Sequence, residues 1–366
     1  MSKKVRHVLG ISGGKDSAAL AIYMHKNYPE IDIEYYTCDT GKELEETYQL
    51  IDNLEGYLGK KIIPLKAFEG STEAPFDHKL KLLSGFLPSQ QNRWCTKYLK
   101  LDPFEKFVSN DLVISYVGIR GDEDREGYIS RKQNIQSIFP FRKNIWSEDV
   151  IMKILRNDNI SSLLESYHFL FPQTDKSVYE IIEQKISLKF PVQHKLQLLL
   201  ERGIKQFNKV AFELLKLTNY PLAFENNFSL LENEENLVRD DIFKLLRESG
   251  VGVPDYYEKK SFYVNGKIGE YSRSRSGCYF CFFQQKIEWI WLYEQHPEKF
   301  QLALDYEKDG FTWNEDETLL DIVKPERMQI IKENFILKSN STENKSPYLI
   351  DILDEAETEG CAACFI

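Results

Sequence analysis

Six residues near the start of the chain, Ser12-Gly13-Gly14-Lys15-Asp16-Ser17, have the composition of an anion site. Two glycines let backbone N–H groups approach a phosphate closely, and a helix opening directly after them adds the partial positive charge of its N-terminus. Lys15 supplies a mobile cation; Ser12 and Ser17 supply hydroxyls. Asp16 is unsuited to face phosphate unaided, so it is expected to cap the helix or to help hold Mg²⁺. The bland alternative is an ordinary glycine turn before a helix, against which the full string between a strand and a helix argues. The Gly-x4-Gly-Lys-Ser/Thr spacing is absent, so this is not the usual P-loop.

The cysteines form a second constellation. A Cys-x-x-Cys turn such as Cys278-Tyr-Phe-Cys281 lets two thiolates point at one metal. Arg273 and Arg275, just before it, would favour thiolate and could meet an anionic substrate. Zinc suits soft thiolates as well as an iron–sulfur cluster does, and a redox or buried thiol pair is the structural alternative. A second pair, Cys361 and Cys364, ends the chain; it could carry sulfur as persulfide or attack a sulfonate, or belong to a disordered tail. Cys95 lies between Arg93 and Lys97, and Cys38 reads as a strand-end core thiol.

Other candidates are single residues. Asp39 could bind Mg²⁺ or orient water, or simply close a turn. Arg120 and Arg125 are candidates for phosphate contact, with Asp122 as an arginine orienter; a solvated charge run is the rival. His78, His168, His194 and His296 have no metal-like spacing and read as surface or packing residues. Trp289, Trp291 and Tyr293 have helical spacing and read as core.

These residues need elements to hold them. Short apolar runs predict strands at 5–11, 31–37, 61–67 and 112–118, with helices at 18–26, opening on Asp16 or Ser17, and at 43–58. Such alternation implies a doubly wound parallel sheet, in which ligands bind at the carboxyl ends of the strands. The motifs at 12–17, 38–43 and 118–125 all fall at such ends. The reading is therefore an α/β fold: a nucleotide-binding domain over 1–150, a helical insert over 151–240, an irregular, metal-organised Cys-rich segment within 241–337, and a linker and Cys-x-x-Cys tail over 338–366. Within 241–337, residues 250–285 carry the irregular segment and helices are expected at 286–305 and 324–334.

Bulk properties agree. The 366 residues are 42% hydrophobic and 28% charged, with 20 Tyr and 23 Phe, an ordinary globular balance. A net charge of −10 argues against non-specific binding of bare nucleic acid, except through a local basic patch or a partner. No apolar run approaches the roughly 18 residues of a membrane span, and no signal-peptide core precedes the first strand. The expectation is a cytoplasmic protein with reduced thiols.

Ser12–Ser17 resembles the pyrophosphatase loop of the adenine nucleotide α-hydrolase superfamily. Asp39-Thr40-Gly41 resembles the Asp-Thr-Gly after the second strand in its phosphoadenylylsulfate (PAPS) reductase branch. Gly118-Ile-Arg120-Gly-Asp-Glu-Asp-Arg125 and Trp146-Ser-Glu-Asp149-Val150 are similar to further segments of that branch. The matches cover roughly 1–150 and 240–285; the helical region between them is a departure. The resemblance implies Lys15, Asp16 and Asp39 as catalytic residues, with ATP, or PAPS or APS (its analogue lacking the 3′-phosphate), held by residues 12–17, 39–41, Gly118, Arg120 and Arg125. It also places Cys95 at the first cluster-cysteine position of the branch. Trp94 stands where a neighbouring ligand is expected, leaving Cys95, Cys278 and Cys281 for a [4Fe–4S] cluster with one open iron. An intact loop beside cluster cysteines resembles DNA-phosphorothioation-type sulfurtransferases. That implies ATP cleavage to AMP and pyrophosphate, a sulfur donor of the cysteine desulfurase kind, and possible thiolation of a nucleic acid reached through a partner. The alternatives are a sulfonucleotide reductase using Cys361 or Cys364 with a thioredoxin-like reductant, and a non-catalytic nucleotide-sensing module.

Overall fold

The computed structural model describes residues 4–123 and 132–341. Five parallel strands, β1 (Arg6–Gly10), β2 (Ile33–Cys38), β3 (Ile62–Leu65), β4 (Val113–Tyr116) and β5 (Ile135–Ile138), form one sheet in the order β3-β2-β1-β4-β5. Leu9 at the centre pairs with Tyr35 on one side and Tyr116 on the other. The chain leaves β1 toward β2 and later returns to β4 on the opposite side, so the topological switch point lies between β1 and β4. The first four strands and the doubly wound α/β class are as the sequence implied; β5 was not expected.

Alternate residues of each strand face opposite sides. Leu9, Ile114 and Tyr116 join a large apolar cluster with the helices α1 (Lys15–Asn27) and α2 (Glu45–Leu58). Val8, Tyr36 and Val113 face Phe104 and Val108 of the Asp102–Val108 helix across the other side. Residues Ala18 to Met24 are all buried, because α1 packs between the sheet and later helices.

Helices follow at Glu148–Ile154, Ile160–Leu170, Lys176–Glu183, Val192–Arg202, Ile204–Leu215 and Arg239–Ser249. Their apolar faces share the cluster that covers the sheet. Polar ties fix them there. Trp146 Nε1 donates to Asn208 Oδ1 at 2.9 Å, and Asn233 Nδ2 donates to the Pro140 carbonyl at 2.9 Å. Lys195, fully buried, donates to the carbonyls of Ile182 and Gln184 at 2.7 and 2.9 Å, which satisfies the C-terminal end of the Lys176–Glu183 helix.

The C-terminal part differs from expectation in four places. Residues 250–285 are not irregular throughout, since β6 (Lys260–Val264) and β7 (Lys267–Tyr271) form an antiparallel hairpin. Its turn is Asn265-Gly266, both at positive φ, 45° and 76°, as a tight hairpin requires. The helix expected over 286–305 breaks at His296, before Pro297, into Lys286–Gln295 and Pro297–Leu304. The last helix runs over Pro325–Ser341, so the start of the expected linker at 338 is still helical. Trp289, Trp291, Phe280, Trp313 and Trp94 build a second apolar cluster under these helices. Tyr293, expected in that core, is 40% exposed because it lies on the outer face of its helix. No helix among the described residues is long and apolar enough to cross a membrane.

Candidate active site

The glycine loop follows β1 directly. Gly13 has φ 71°, in the left-handed region that favours glycine, and a Cβ there would meet Thr47 Cγ2 at 2.2 Å. Ser12 and Ser17 tie the loop together: their hydroxyls lie 3.0 Å apart, Ser12 N donates to Ser17 Oγ at 3.1 Å, and Ser17 Oγ donates to the Gly14 carbonyl at 3.2 Å. The helix starts at Lys15 with Gly14 as its N-cap and no side-chain cap. Asp16 therefore does not cap it. Its carboxylate pairs instead with Lys15 Nζ at 3.2 Å and Arg120 Nη1 at 2.9 Å. Burial alone would raise the Asp16 pKa, but the two cations hold it below the usual carboxylate range.

The segment after β4 interlocks with this loop. A Cβ on Gly118 would lie 2.9 Å from the Asp16 carbonyl oxygen. Two residues on, the buried Arg120 also binds Asp122 Oδ1 at 2.8 Å and Glu123 Oε1 at 2.9 Å. Burial opposes its charge, yet Asp16, Glu123 and Asp122 keep it firmly protonated. Arg120 is thus held by three carboxylates, and a phosphate would have to share it with them. Arg125 lies outside the described residues.

At the end of β2, Asp39 Oδ1 accepts from Gly41 N at 2.8 Å and from the Tyr48 hydroxyl at 3.1 Å, so the carboxylate closes its own turn. Lys66 Nζ lies 3.6 Å from its other oxygen. Thr40 is buried and donates to Glu43 Oε1 at 2.6 Å.

Sequence reasoning did not single out Tyr256 and Tyr257, which close over the loop. Tyr256 donates to the Gly13 carbonyl at 3.0 Å. Tyr257 accepts from Lys15 N at 3.4 Å, and its ring lies 5.0 Å from Lys15 Nζ. Ser276 sits where a Gly14 Cβ would be, 2.5 Å from its Oγ. Arg273 N donates to the Tyr256 carbonyl at 2.8 Å and so joins the two segments. Two adjacent tyrosines after Pro254 were the available signal, but nothing local shows that they fold back onto residue 13.

The cysteine expectation changes. Among the described residues no group of three or more His, Cys, Asp or Glu side chains is placed to hold a metal ion. Cys281 N donates to the Cys278 carbonyl at 3.2 Å, a tight turn. The two thiols nevertheless pack against different apolar clusters, Cys278 with the Trp94 and Phe280 group and Cys281 with the Tyr36 and Phe104 group. Cys95 packs beside the first of these. Cys278 Sγ lies 3.1 Å from Thr40 Oγ1, and Cys95 is near enough to add to the rise of its pKa. The arginines do not favour thiolate at Cys278 either: burial, reinforced by Glu43, pushes that thiol well above its ordinary pKa. Cys38 behaves as a core thiol, donating to the Lys100 carbonyl at 3.6 Å and raised by burial to about 12. Cys361 and Cys364 lie outside the described residues.

Arg93 and Arg275 converge elsewhere, their guanidinium carbons 4.8 and 5.2 Å from the centroid of the Phe283 ring. A cationic, aromatic face therefore lies beside Cys281.

Fold and geometry together define an α/β protein whose glycine loop and helix N-terminus lie at the switch point of a parallel sheet. Residues 6–181 match the phosphoadenosine phosphosulfate reductase domain family, so the chain carries a PAPS reductase-like domain of the PP-loop superfamily, a family of nucleotide-using enzymes. An uncharacterized protein of Methanocaldococcus jannaschii is 33% identical over an alignment of 153 residues that covers 38% of this chain and 30% of that protein. The match thus spans about a third of that relative. No solved structure matches the chain.

Proposed function

We propose that the Ser12–Ser17 loop binds the phosphates of ATP and that the enzyme cleaves it to AMP and pyrophosphate, activating an acceptor for sulfur transfer. The observation that supports this most is the intact loop at the switch point, with the buried Lys15 at the head of α1 and no room for a side chain at Gly13, Gly14 or Gly118. An acceptor oxygen would attack the α-phosphorus; the bond to the bridging oxygen breaks, and pyrophosphate leaves with the electron pair. A sulfur nucleophile then displaces AMP.

In this reading Lys15 and the N-terminal amides of α1 stabilise charge developing on the departing pyrophosphate. Asp16 holds Lys15 and Arg120 on either side of the loop. Asp39, Thr40 and Gly41 form the wall at the end of β2. Mg²⁺ would arrive with the nucleotide, since Asp16 is committed to two cations. No step is assigned to an iron–sulfur cluster or zinc, because no group of three or more ligating side chains is placed for one among the described residues. The acceptor is proposed as an anionic group, a nucleic acid included, that meets the Arg93 and Arg275 face.

The matched family's own description favours a second reading, sulfite release from PAPS or APS by a tail thiol with a thioredoxin-like reductant. One assay separates the two. The protein is incubated with MgATP or with PAPS and dithiothreitol, and pyrophosphate and sulfite are measured. Pyrophosphate release that depends on Lys15 supports ATP cleavage. Sulfite release lost in Cys361→Ser supports reduction. Nucleotide binding with neither product would make the protein a sensing module. Iron, sulfide and zinc assays on anaerobically purified protein test the cofactor question directly.

A further inference from the structure

Among the described residues the buried cations are Lys15, Arg120, Lys195, Arg273 and Lys332. Four have partners that use their charge. Lys15 faces Asp16, Arg120 three carboxylates, Lys195 two helix-end carbonyls, and Lys332 the Glu294 carboxylate at 2.6 Å. Arg273 is the exception. Its side chain is 1% exposed, and only Nη2 is used, donating to the Cys278 carbonyl at 3.0 Å. Its Nε and Nη1 have no hydrogen-bond partner, and no carboxylate pairs with it, among the described residues. A guanidinium taken out of water with two donors unspent is costly unless an anion completes it.

Its position says which anion. The Arg273 guanidinium carbon lies 5.7 Å from the centroid of the Tyr256 ring, and the hydroxyl of that ring donates to Gly13 of the loop. Three residues further, Ser276 touches Gly14. Arg275, by contrast, lies over Phe283, so the two arginines serve different places.

We propose that Arg273 is a phosphate ligand. It is brought to the glycine loop by the 254–276 segment and donates Nε–H and Nη1–H to the phosphate chain of the bound nucleotide. The proposal rests on the nucleotide reading above and adds a second buried cation to Lys15. With Nη2 taken by the Cys278 carbonyl, Nε–H and Nη1–H leave the rigid guanidinium plane in different directions and would meet different oxygens of the phosphate chain, an arrangement a lysine ammonium does not reproduce.

Isothermal titration of the full chain with MgATP, inorganic pyrophosphate and adenosine tests it, using wild type, Arg273→Met and Arg273→Lys. In Arg273→Met, ATP and pyrophosphate are expected to bind roughly 10–100-fold more weakly, with adenosine unchanged; Arg273→Lys should fall between. Equal pyrophosphate affinity in wild type and Arg273→Met would overturn the assignment while leaving the nucleotide reading intact. Wild type that binds neither ATP nor pyrophosphate overturns both. Should Arg273→Met not fold, the Arg273 Nε–H signal in ¹⁵N spectra of the wild type decides, identified by its loss in Arg273→Lys. A shift on adding pyrophosphate supports the contact, and an unmoved signal rejects it.

Discussion

Gly118 presses its α-carbon against the backbone of Asp16, so closely that a single added carbon would lie 2.9 Å from the Asp16 carbonyl oxygen. The carboxyl end of β4 and the first turn of α1 are therefore packed backbone to backbone. Arg120 then reaches back to the Asp16 carboxylate.

Gly118→Ala is expected to destabilise the protein by about 1–3 kcal/mol, since backbone rather than a flexible side chain stands in the way. It should also weaken ATP binding by moving the start of α1. Urea unfolding and titration with MgATP check both. Wild-type stability in the variant would mean that the two backbones can separate without cost.

Lys15→Ala should lower pyrophosphate release from MgATP roughly 10²–10³-fold, the range for removing one preorganised charge from a transition state. Arg120 remains paired with Asp16 in that variant, so melting should change little. Turnover unaffected by the substitution would rule out the proposed role of the loop.

Tyr256→Phe leaves the Gly13 carbonyl without its donor. A loss of about 1 kcal/mol in stability is expected, as for one buried hydrogen bond. Pyrophosphate affinity should drop as well, because the hydroxyl connects the 254–276 segment to the loop. Thermal melts with and without pyrophosphate compare the two effects.

Lys195→Met removes the donor to the Ile182 and Gln184 carbonyls. Burial draws this ammonium down to about 8, but the hydrogen bonds still need it. A loss of about 2–3 kcal/mol is expected, from two unsatisfied carbonyls at a helix end. Nucleotide affinity should not change. An unaltered urea midpoint would show that the helix end finds other partners.

Glu317 provides a pH test. Arg327, at 2.7 Å, and Lys286 hold its carboxyl down to about 2, outweighing burial. A native pKa below the unfolded one means stability that is complete above about pH 5 and lost as pH falls toward 2. Allowing for screening at a partly exposed Arg327, this contributes about 1–2 kcal/mol. Glu317→Gln should be less stable by that amount at pH 7 and nearly equal to wild type near pH 2. A constant gap across that range would show that the pairing carries no net charge effect.

The sequence made the sheet end of the site legible because three polar motifs each adjoin an apolar run, and apolar runs identify strands. It hid β5, because Ile135-Gln-Ser-Ile138 mixes polar with apolar residues. Gln136 is tolerated there because its Oε1 accepts from Leu222 N at 3.0 Å, a partner from far along the chain. Asn265-Gly266 between the two strands is a local hairpin signal, but it lies within a stretch whose cysteine spacing equally suits a metal-organised loop. Spacing alone cannot show that Cys278 and Cys281 settle in different apolar groups. The Tyr256 and Arg273 contacts depend on chain segments meeting, which no local pattern encodes.

The clamp on the loop has a consequence during synthesis. Lys15 N and the Tyr257 hydroxyl are 242 positions apart in the chain. At roughly 5–20 residues per second, the ribosome delivers Tyr257 about 10–50 s after Lys15. Throughout that interval the nascent loop has its helix but not its roof. Premature termination anywhere before residue 257 would therefore release a chain able to display the signature of a nucleotide site but not to close it.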